Sequence, residues 1–201
     1  MKKLLPLFSY LFHPIFIPIL GVLFYLLYTD VYFSKPQCLL LVFQIVIITF
    51  LLPMTFFYLL RVFGKVDTIM LSDINQRKIP LLLQMALTSI LIKESVTIDR
   101  FPELFFFFLA GLLSTFLAFM ALYIKIKASI HMIGLSAVTF FVLGLSMHNQ
   151  TNLVFVLATL FFLNGLVASS RLQMKAHTLK ELTIGFLIGG IPQIAVWFLW
   201  L

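Results

Sequence analysis

Charged residues are scarce in this sequence of 201 residues, and acidic residues are scarcer than basic ones. Only 10% of the residues are charged, with seven Asp and Glu against 14 Lys and Arg, whereas 62% are hydrophobic. A soluble domain has about a quarter of its residues charged. The composition therefore excludes a soluble domain and predicts an integral membrane protein with the lipid bilayer as its surroundings.

Other features are also missing, and each absence narrows the fold class. A single cysteine, Cys38, excludes an internal disulfide and a cysteine-rich metal site. The apolar runs are continuous rather than alternating, which is not the pattern of a transmembrane β-barrel. No Gly/Ser linker, charge run or low-complexity tract divides the chain. We predict an all-α, polytopic membrane helical bundle that forms a single domain over residues 1–201.

Seven apolar segments account for most of the chain. They cover roughly residues 10–28, 38–60, 80–93, 104–124, 130–147, 153–169 and 180–200. Because about 20 helical residues cross a bilayer, the third segment is short for a complete span. We therefore expect about six to seven transmembrane helices.

Basic residues are divided unequally between the two predicted faces of the membrane. Eleven of the 14 Lys and Arg lie on the face that also carries the N-terminus, and three lie on the other face. The positive-inside rule places the richer face in the cytoplasm. We expect a protein of the cytoplasmic (inner) membrane of a bacterium. The basic excess is assigned to topology and phosphate binding, and no nucleic-acid partner is predicted.

The stretch from Ser170 to Gly190 gathers reactive side chains between two apolar segments. His177 and Glu181 lie four residues apart, so in a helix they share one face. A carboxylate there can accept the imidazole N–H and leave the other ring nitrogen free to attack an electrophile. Arg171 precedes His177 by six residues, about 240° around a single helix, so we expect a helix break between them.

This spacing carries a family resemblance. Ser170-Arg171, five residues, His177, three residues and Glu181 resemble the third signature of the type 2 phosphatidic acid phosphatase superfamily, which comprises membrane lipid phosphatases. That signature has Asp at the position of Glu181, so the side chain here is one methylene longer. The resemblance covers about residues 65–190.

The connection before the fifth apolar segment is similar to the second signature. Lys127 to Gly134 fits the pattern of a divergent branch and keeps Ser129 and His131, while Ala128 and Ile130 replace the usual proline and glycine. Ser129 suits a helix N-cap, and a helix N-terminus offers free N–H groups to an anion. The sequence therefore predicts a second part of an anion site here.

The first signature is matched only in part. Arg77 precedes Pro80, but the superfamily has arginine directly before proline and a lysine seven positions earlier, where this chain has Met70. Lys65 or Lys78 are the alternatives for the missing charge. All three fragments follow even-numbered apolar segments, and so they lie on one predicted face of the membrane.

The resemblance implies a mechanism as well as a fold. His177 would attack phosphorus and form a phosphohistidine, Glu181 would hold its tautomer, and His131 would act as general acid and base. The residues implied in phosphate binding are Arg171, Arg77, Lys78, Ser129 and Ser170. No metal and no cofactor are expected. The substrate is expected to be a lipid phosphate of unspecified head group, since the site lies at the ends of membrane helices.

Two other classes of function are consistent with the same residues. The incomplete first and second signatures allow a catalytically silent lipid-binding or assembly protein on the same fold. A basic pocket also allows a transporter that binds anionic lipids without cleaving them. An enzyme requires His131, His177 and Arg171 around one cavity of phosphate size, and this geometry separates the classes.

Overall fold

The chain folds into helices, as the composition predicts. The computed structural model describes residues 5–29, 34–66 and 73–201, and within these ranges it contains no strand. The all-α prediction is therefore confirmed for them. The helices are α1 (Leu5–Leu11), α2 (Ile17–Tyr28), α3 (Lys35–Val46), α4 (Leu52–Val62), α5 (Lys78–Glu94), α6 (Pro102–Tyr123), α7 (Ile130–His148), α8 (Val154–Gln173) and α9 (Leu179–Ala195).

Five helical stretches in the described ranges are long and apolar enough to cross a membrane. They are Lys35–Val62, which contains α3 and α4, and the stretches of α6, α7, α8 and α9. The pair α1 and α2 makes a sixth if the two form one bent span. Helix α5 has 17 residues and is short for a span, as its apolar segment predicts. The protein is a helical membrane bundle.

The first apolar segment is broken, and proline explains where. His13 is extended, with φ −64° and ψ 139°, and it precedes Pro14. Since the ring of a proline disfavours helical backbone in the residue before it, α1 cannot continue through His13. The two parts are bent by 40°. The break places His13 and the end of α1 against the interior of the bundle.

Helix α7 forms the centre of the bundle. It packs against α2, α6, α8 and α9, and it is the most buried of the candidate spans. Its apolar side chains are fully buried on several faces, among them Leu135, Val138, Phe141, Val142 and Leu145. A helix that is apolar all round belongs inside a bundle. The first turn of α7 therefore lies among the ends of its neighbours.

Two glycines bring α9 into close contact with the start of α7. A Cβ on Gly189 would overlap the carbonyl oxygen of Ile133, and one on Gly185 would lie 2.7 Å from the carbonyl oxygen of Ser129. Small residues four apart allow two membrane helices to approach through their backbones. The contact holds the beginning of α9 beside the beginning of α7.

Candidate functional site

The predicted break between Arg171 and His177 is confirmed. Helix α8 ends at Gln173, and Lys175 has a left-handed backbone with φ 51°. The Lys175 N–H donates to the Leu172 carbonyl at 3.0 Å, and the Ala176 N–H donates to the Arg171 carbonyl at 3.1 Å. These bonds close the end of α8 and turn the chain toward α9. Arg171 and His177 thus come from two helix ends.

His177 and Glu181 are in contact as the spacing predicts, but His177 is not part of the helix, because it precedes Thr178, the N-cap of α9. His177 Nδ1 lies 3.1 Å from Glu181 Oε2, and the His177 side chain is 1% exposed. The same oxygen accepts the Thr178 N–H at 2.9 Å, while the Glu181 N–H donates to Thr178 Oγ1 at 3.3 Å. Glu181 therefore closes a capping box at the start of α9 and orients the imidazole. Nδ1 is the donor, which leaves the lone pair on Nε2.

Two buried arginines accompany this pair. Arg77 is 3% exposed and Arg171 is 2% exposed, and both line the cavity that His177 also lines. Arg77 Nη1 donates to the Ala128 carbonyl at 2.8 Å, and Arg171 Nη1 lies 4.0 Å from Met174 Sδ. One guanidinium group can donate two parallel hydrogen bonds to the oxygens of a phosphate. Two guanidinium groups that line one cavity therefore suit a phosphate ligand.

The electrostatic surroundings keep His177 neutral. Burial, together with the positive charges of Arg77, Arg171 and Lys127, lowers the pKa of His177 to about 4, while Glu181 opposes this shift. Burial, followed by repulsion from Arg171, lowers the pKa of Arg77 to about 10, so that arginine is still charged at neutral pH. At pH 7 the site combines a neutral imidazole with fixed positive charges, which suits nucleophilic attack on an anion.

His131 belongs to the same cavity but is held by the N-terminal segment. Its Nε2 lies 3.0 Å from the Ser9 carbonyl oxygen, and because a carbonyl only accepts, Nε2 carries the proton of the neutral ring. Nδ1 therefore holds the lone pair. The His13 ring stands almost perpendicular to the His131 ring, with centroids 5.3 Å apart. Neither Ser9 nor His13 belongs to any signature.

Ser170 and Ser129 do not line the cavity. Ser170 Oγ lies 2.6 Å from Ser9 Oγ and 3.9 Å from Met174 Sδ, so it joins α8 to α1. The Ser129 N–H donates to the Glu181 carbonyl at 3.2 Å, and its buried Oγ has no hydrogen-bond partner among the described residues. Both serines lie behind the predicted site and connect the elements that form it.

Lys65 and Lys78, the two candidates for the lysine missing from the first signature, do not line the cavity either. Lys78 Nζ lies 5.7 Å from the centre of the Tyr123 ring, and Lys65 is exposed. Met70, which occupies the usual lysine position, lies outside the described residues. The lysine close to the site is Lys127, whose Nζ donates to the Ala176 carbonyl at 3.2 Å. Its pKa is lowered, first by burial and then by Arg77.

One cavity joins these groups and continues into the bundle. Its volume is about 230 Å³, and it runs from the charged groups into the space between α2, α5, α6 and α7. The charged and imidazole side chains that line it are His13, Arg77, His131, Arg171 and His177. His13 is not among the site residues that the sequence predicts. The available signal was its position, since an ionisable residue inside a membrane segment is a functional candidate by default.

Comparison with protein-family models, curated proteins and solved structures gives no match. Among the described residues, no group of three or more His, Cys, Asp or Glu side chains is arranged to hold a metal ion. The candidate site therefore stands on its own geometry. It has a paired histidine and carboxylate, a second histidine and two buried arginines around one cavity.

Proposed function

We propose that this protein is a membrane lipid phosphatase that hydrolyses a phosphate monoester or diphosphate of a lipid through a phosphohistidine intermediate. The observation that carries the proposal is the convergence of His177, His131, Arg171 and Arg77 on one cavity. The signatures of the phosphatase superfamily assign these residues to the same chemistry.

The first chemical step is attack by the neutral imidazole. His177 Nε2 attacks phosphorus, and the bond between phosphorus and the lipid oxygen breaks. Glu181 stabilises the positive charge that develops on the ring, because its carboxylate accepts a hydrogen bond from Nδ1–H. Arg77 and Arg171 bind the phosphoryl oxygens, whose charge they balance as the bond breaks. His131 takes up a second proton, on Nδ1, when the anionic phosphate binds beside it, and it gives this proton to the leaving oxygen.

The second step returns the enzyme to its starting state. Neutral His131 takes a proton from water through Nδ1, since Nε2 is bonded to the Ser9 carbonyl. The resulting hydroxide attacks the phosphohistidine, the P–N bond breaks, and His177 is restored as phosphate leaves. The same imidazole thus serves as acid and then as base.

The position of the site is consistent with a lipid substrate. The charged groups lie at helix ends, and the cavity continues between apolar helices where lipid chains can lie. The phosphate would remain at the membrane interface, while the basic face of the protein attracts anionic lipids. From the distribution of Lys and Arg, we assign this face to the cytoplasm.

The test is phosphate release by the purified protein in detergent, from a panel of lipid monophosphates and diphosphates, with a chelator present. His177→Ala should lower release at least about a thousandfold, because it removes the nucleophile. His148→Ala is the matched control, since His148 lies at the other end of α7 and does not line the cavity. It should release phosphate at the parent rate.

The alternatives predict different results. A silent lipid-binding protein or an anionic-lipid transporter would bind the panel without releasing phosphate above the His177→Ala background. A metal-dependent phosphatase would lose its activity in chelator. Either result would refute the proposal, provided that both variants remain monodisperse and unfold at the temperature of the parent.

A further inference from the structure

Beyond the charged groups, one side of the cavity is lined by uncharged polar residues. They come from α5, α6 and the π-helical turn Ile47–Leu51 between α3 and α4, and they are Thr49, Gln84, Thr88, Ser114 and Thr115. Apart from His131, the lining that α2 and α7 supply is apolar and includes Ile17, Pro18, Ile133 and Ala137, and α5 and α6 add apolar residues such as Leu81 and Phe107. In a ligand-binding cavity, a small number of polar groups among apolar ones fixes the orientation of the ligand.

Three of the hydroxyl groups on this side can only accept a hydrogen bond from a ligand. Thr49 Oγ1 donates to the Ile45 carbonyl at 2.8 Å, Ser114 Oγ to Ala110 at 2.9 Å, and Thr115 Oγ1 to Gly111 at 2.8 Å. A hydroxyl group has one proton and two lone pairs. Because each proton is used within its own helix, the oxygens present lone pairs to the cavity.

Gln84 adds a hydrogen-bond donor and a hydrogen-bond acceptor to this side of the cavity. Its Nε2 donates one hydrogen to Thr88 Oγ1 at 3.3 Å, and no other hydrogen bond of its side chain is made within the described residues. Its second N–H and its carbonyl oxygen are therefore available to a ligand. Counted together, the polar side offers more acceptors than donors, so the ligand group that matches it is a donor.

The polar side begins close to the phosphate site. Gln84 follows Arg77 by seven residues, which is about 10 Å along a helix. Side chains of a helix tilt toward its N-terminus, and the N-terminus of α5 is the end that carries Arg77. The amide of Gln84 can therefore reach the part of a lipid that directly follows its phosphate.

We propose that this polar side is a binding subsite for a hydroxyl or amide N–H group on the lipid, so that the preferred substrate carries such a donor near its phosphate. The inference rests on the proposed function and narrows its substrate class. A polyprenyl phosphate has no donor in its chain. A fully esterified phosphatidate offers acceptors to a surface that already has acceptors in excess.

The test compares three lipids that differ only in the substituent at carbon 2 of the glycerol. A 1-acyl lysophosphatidate has a free 2-hydroxyl group, its 2-O-methyl ether keeps the oxygen without the proton, and its 2-deoxy analogue lacks both. The free hydroxyl should give about a tenfold higher kcat/KM than the methyl ether, which is typical of one hydrogen bond in a buried site. The kcat/KM of the deoxy analogue should be as low as that of the methyl ether.

Variants assign the effect to the subsite. Gln84→Leu and Thr115→Val should each reduce the preference for the free hydroxyl toward unity. Thr159→Val is the matched control: Thr159 Oγ1 makes the same bond to the carbonyl four residues earlier, at 2.8 Å, but the residue is exposed on the lipid-facing side of α8. This control should keep the full preference.

Binding separates failure of the subsite from failure of the proposed function. Retention of the same three lipids by the His177→Ala variant can be measured by native mass spectrometry, whether or not the parent cleaves them. Equal retention of the hydroxyl and the methyl ether, or retention of neither, overturns the subsite. A preference in binding without phosphate release supports the subsite and refutes the phosphatase.

Discussion

The two ends of the bundle both contain buried ionisable residues, but they are organised differently. At the end opposite the cavity, Glu103 Oε1 lies 3.5 Å from His148 Nε2, and the buried Tyr25 lies close to Glu103. The His148 ring lies 5.5 Å from the Trp200 ring, measured between centroids. The buried Glu103 carboxylate thus has the His148 imidazole as a neighbour, and His148 itself is exposed. None of these residues lines the cavity.

Among the described residues, the site end has more basic than acidic side chains at or near the cavity. Arg77 and Arg171 line the cavity, Lys127 lies close by, and the carboxylate of Glu181 is committed to His177 and the start of α9. Burial of like charges is unfavourable unless an anion compensates them. A carboxylate paired with its neighbours away from the cavity therefore indicates a structural role, whereas two arginines that line one cavity are placed to bind an anion.

Neutralising one residue at each end gives the largest expected contrast. Arg171→Ala should lower phosphate release by about a hundredfold to a thousandfold, since it removes a charge that stabilises the transition state. Glu103→Gln should leave phosphate release unchanged. Steady-state kinetics of the two variants check this prediction. Equal losses in both would mean that the ends do not differ in function.

The second-largest expected effect concerns the pH range over which the nucleophile, His177, stays neutral. Because the pKa of His177 is lowered to about 4, the ring stays neutral as pH falls through 6.5, and it becomes protonated only near pH 4. Lys127→Met removes a neighbouring positive charge and should raise this pKa. Histidine-selective ¹⁵N NMR titration follows the ring directly, with His177→Gln as the assignment control. A midpoint near 6.5 in the parent would contradict the prediction.

Much of the fold and the centre of the site follow from local patterns. The apolar segments predict the helices because each one needs about 20 residues and is bounded by proline or charge. His177 and Glu181 are four residues apart, and that spacing predicted their contact, although His177 lies just before Thr178, the N-cap of α9, rather than in the helix. The break after Arg171 was predictable for the same reason, since one helix would place the two side chains on different faces.

The remaining parts of the site depend on tertiary packing. Ser9 is 122 residues from His131 and 161 residues from Ser170, and no periodicity connects such positions. Ser170 was predicted to bind phosphate, but its hydroxyl bonds to Ser9. Lys78 was assigned the same role, and it lies over Tyr123. The direction of a side chain at a helix end depends on which neighbour packs there, which sequence spacing does not give.

A third contrast concerns the packing that holds the site together. A Cβ on Gly189 would meet backbone atoms of α7, which cannot move aside, so Gly189→Ala should destabilise the fold by about 1–3 kcal/mol. A Cβ on Gly165 in α8 would meet no atom within 4 Å, and Gly165→Ala should be neutral or stabilising by up to about 1 kcal/mol. Thermal unfolding in detergent measures both. Equal shifts would show that α7 and α9 are not in close contact.

The smallest expected effect compares the turns at the two ends. Lys125 and Lys175 at the site end and Gln150 at the opposite end all have left-handed backbones, with φ 57°, 51° and 51°. Glycine has no steric penalty there, so each change to glycine should stabilise the fold by about 1 kcal/mol. Lysine at positions 125 and 175 therefore costs stability, and both lysines place a positive charge at the site end.

The three glycine variants should differ in KM, although they should have similar effects on stability. Lys125→Gly and Lys175→Gly should raise KM for anionic lipid phosphates a few-fold in low salt, because each removes a nearby positive charge, and the difference should shrink in high salt. Gln150→Gly removes no charge and should leave KM unchanged at any salt concentration. The same KM change at Gln150, or no salt dependence at the lysines, would mean that the site end keeps its lysines for topology rather than for substrate attraction.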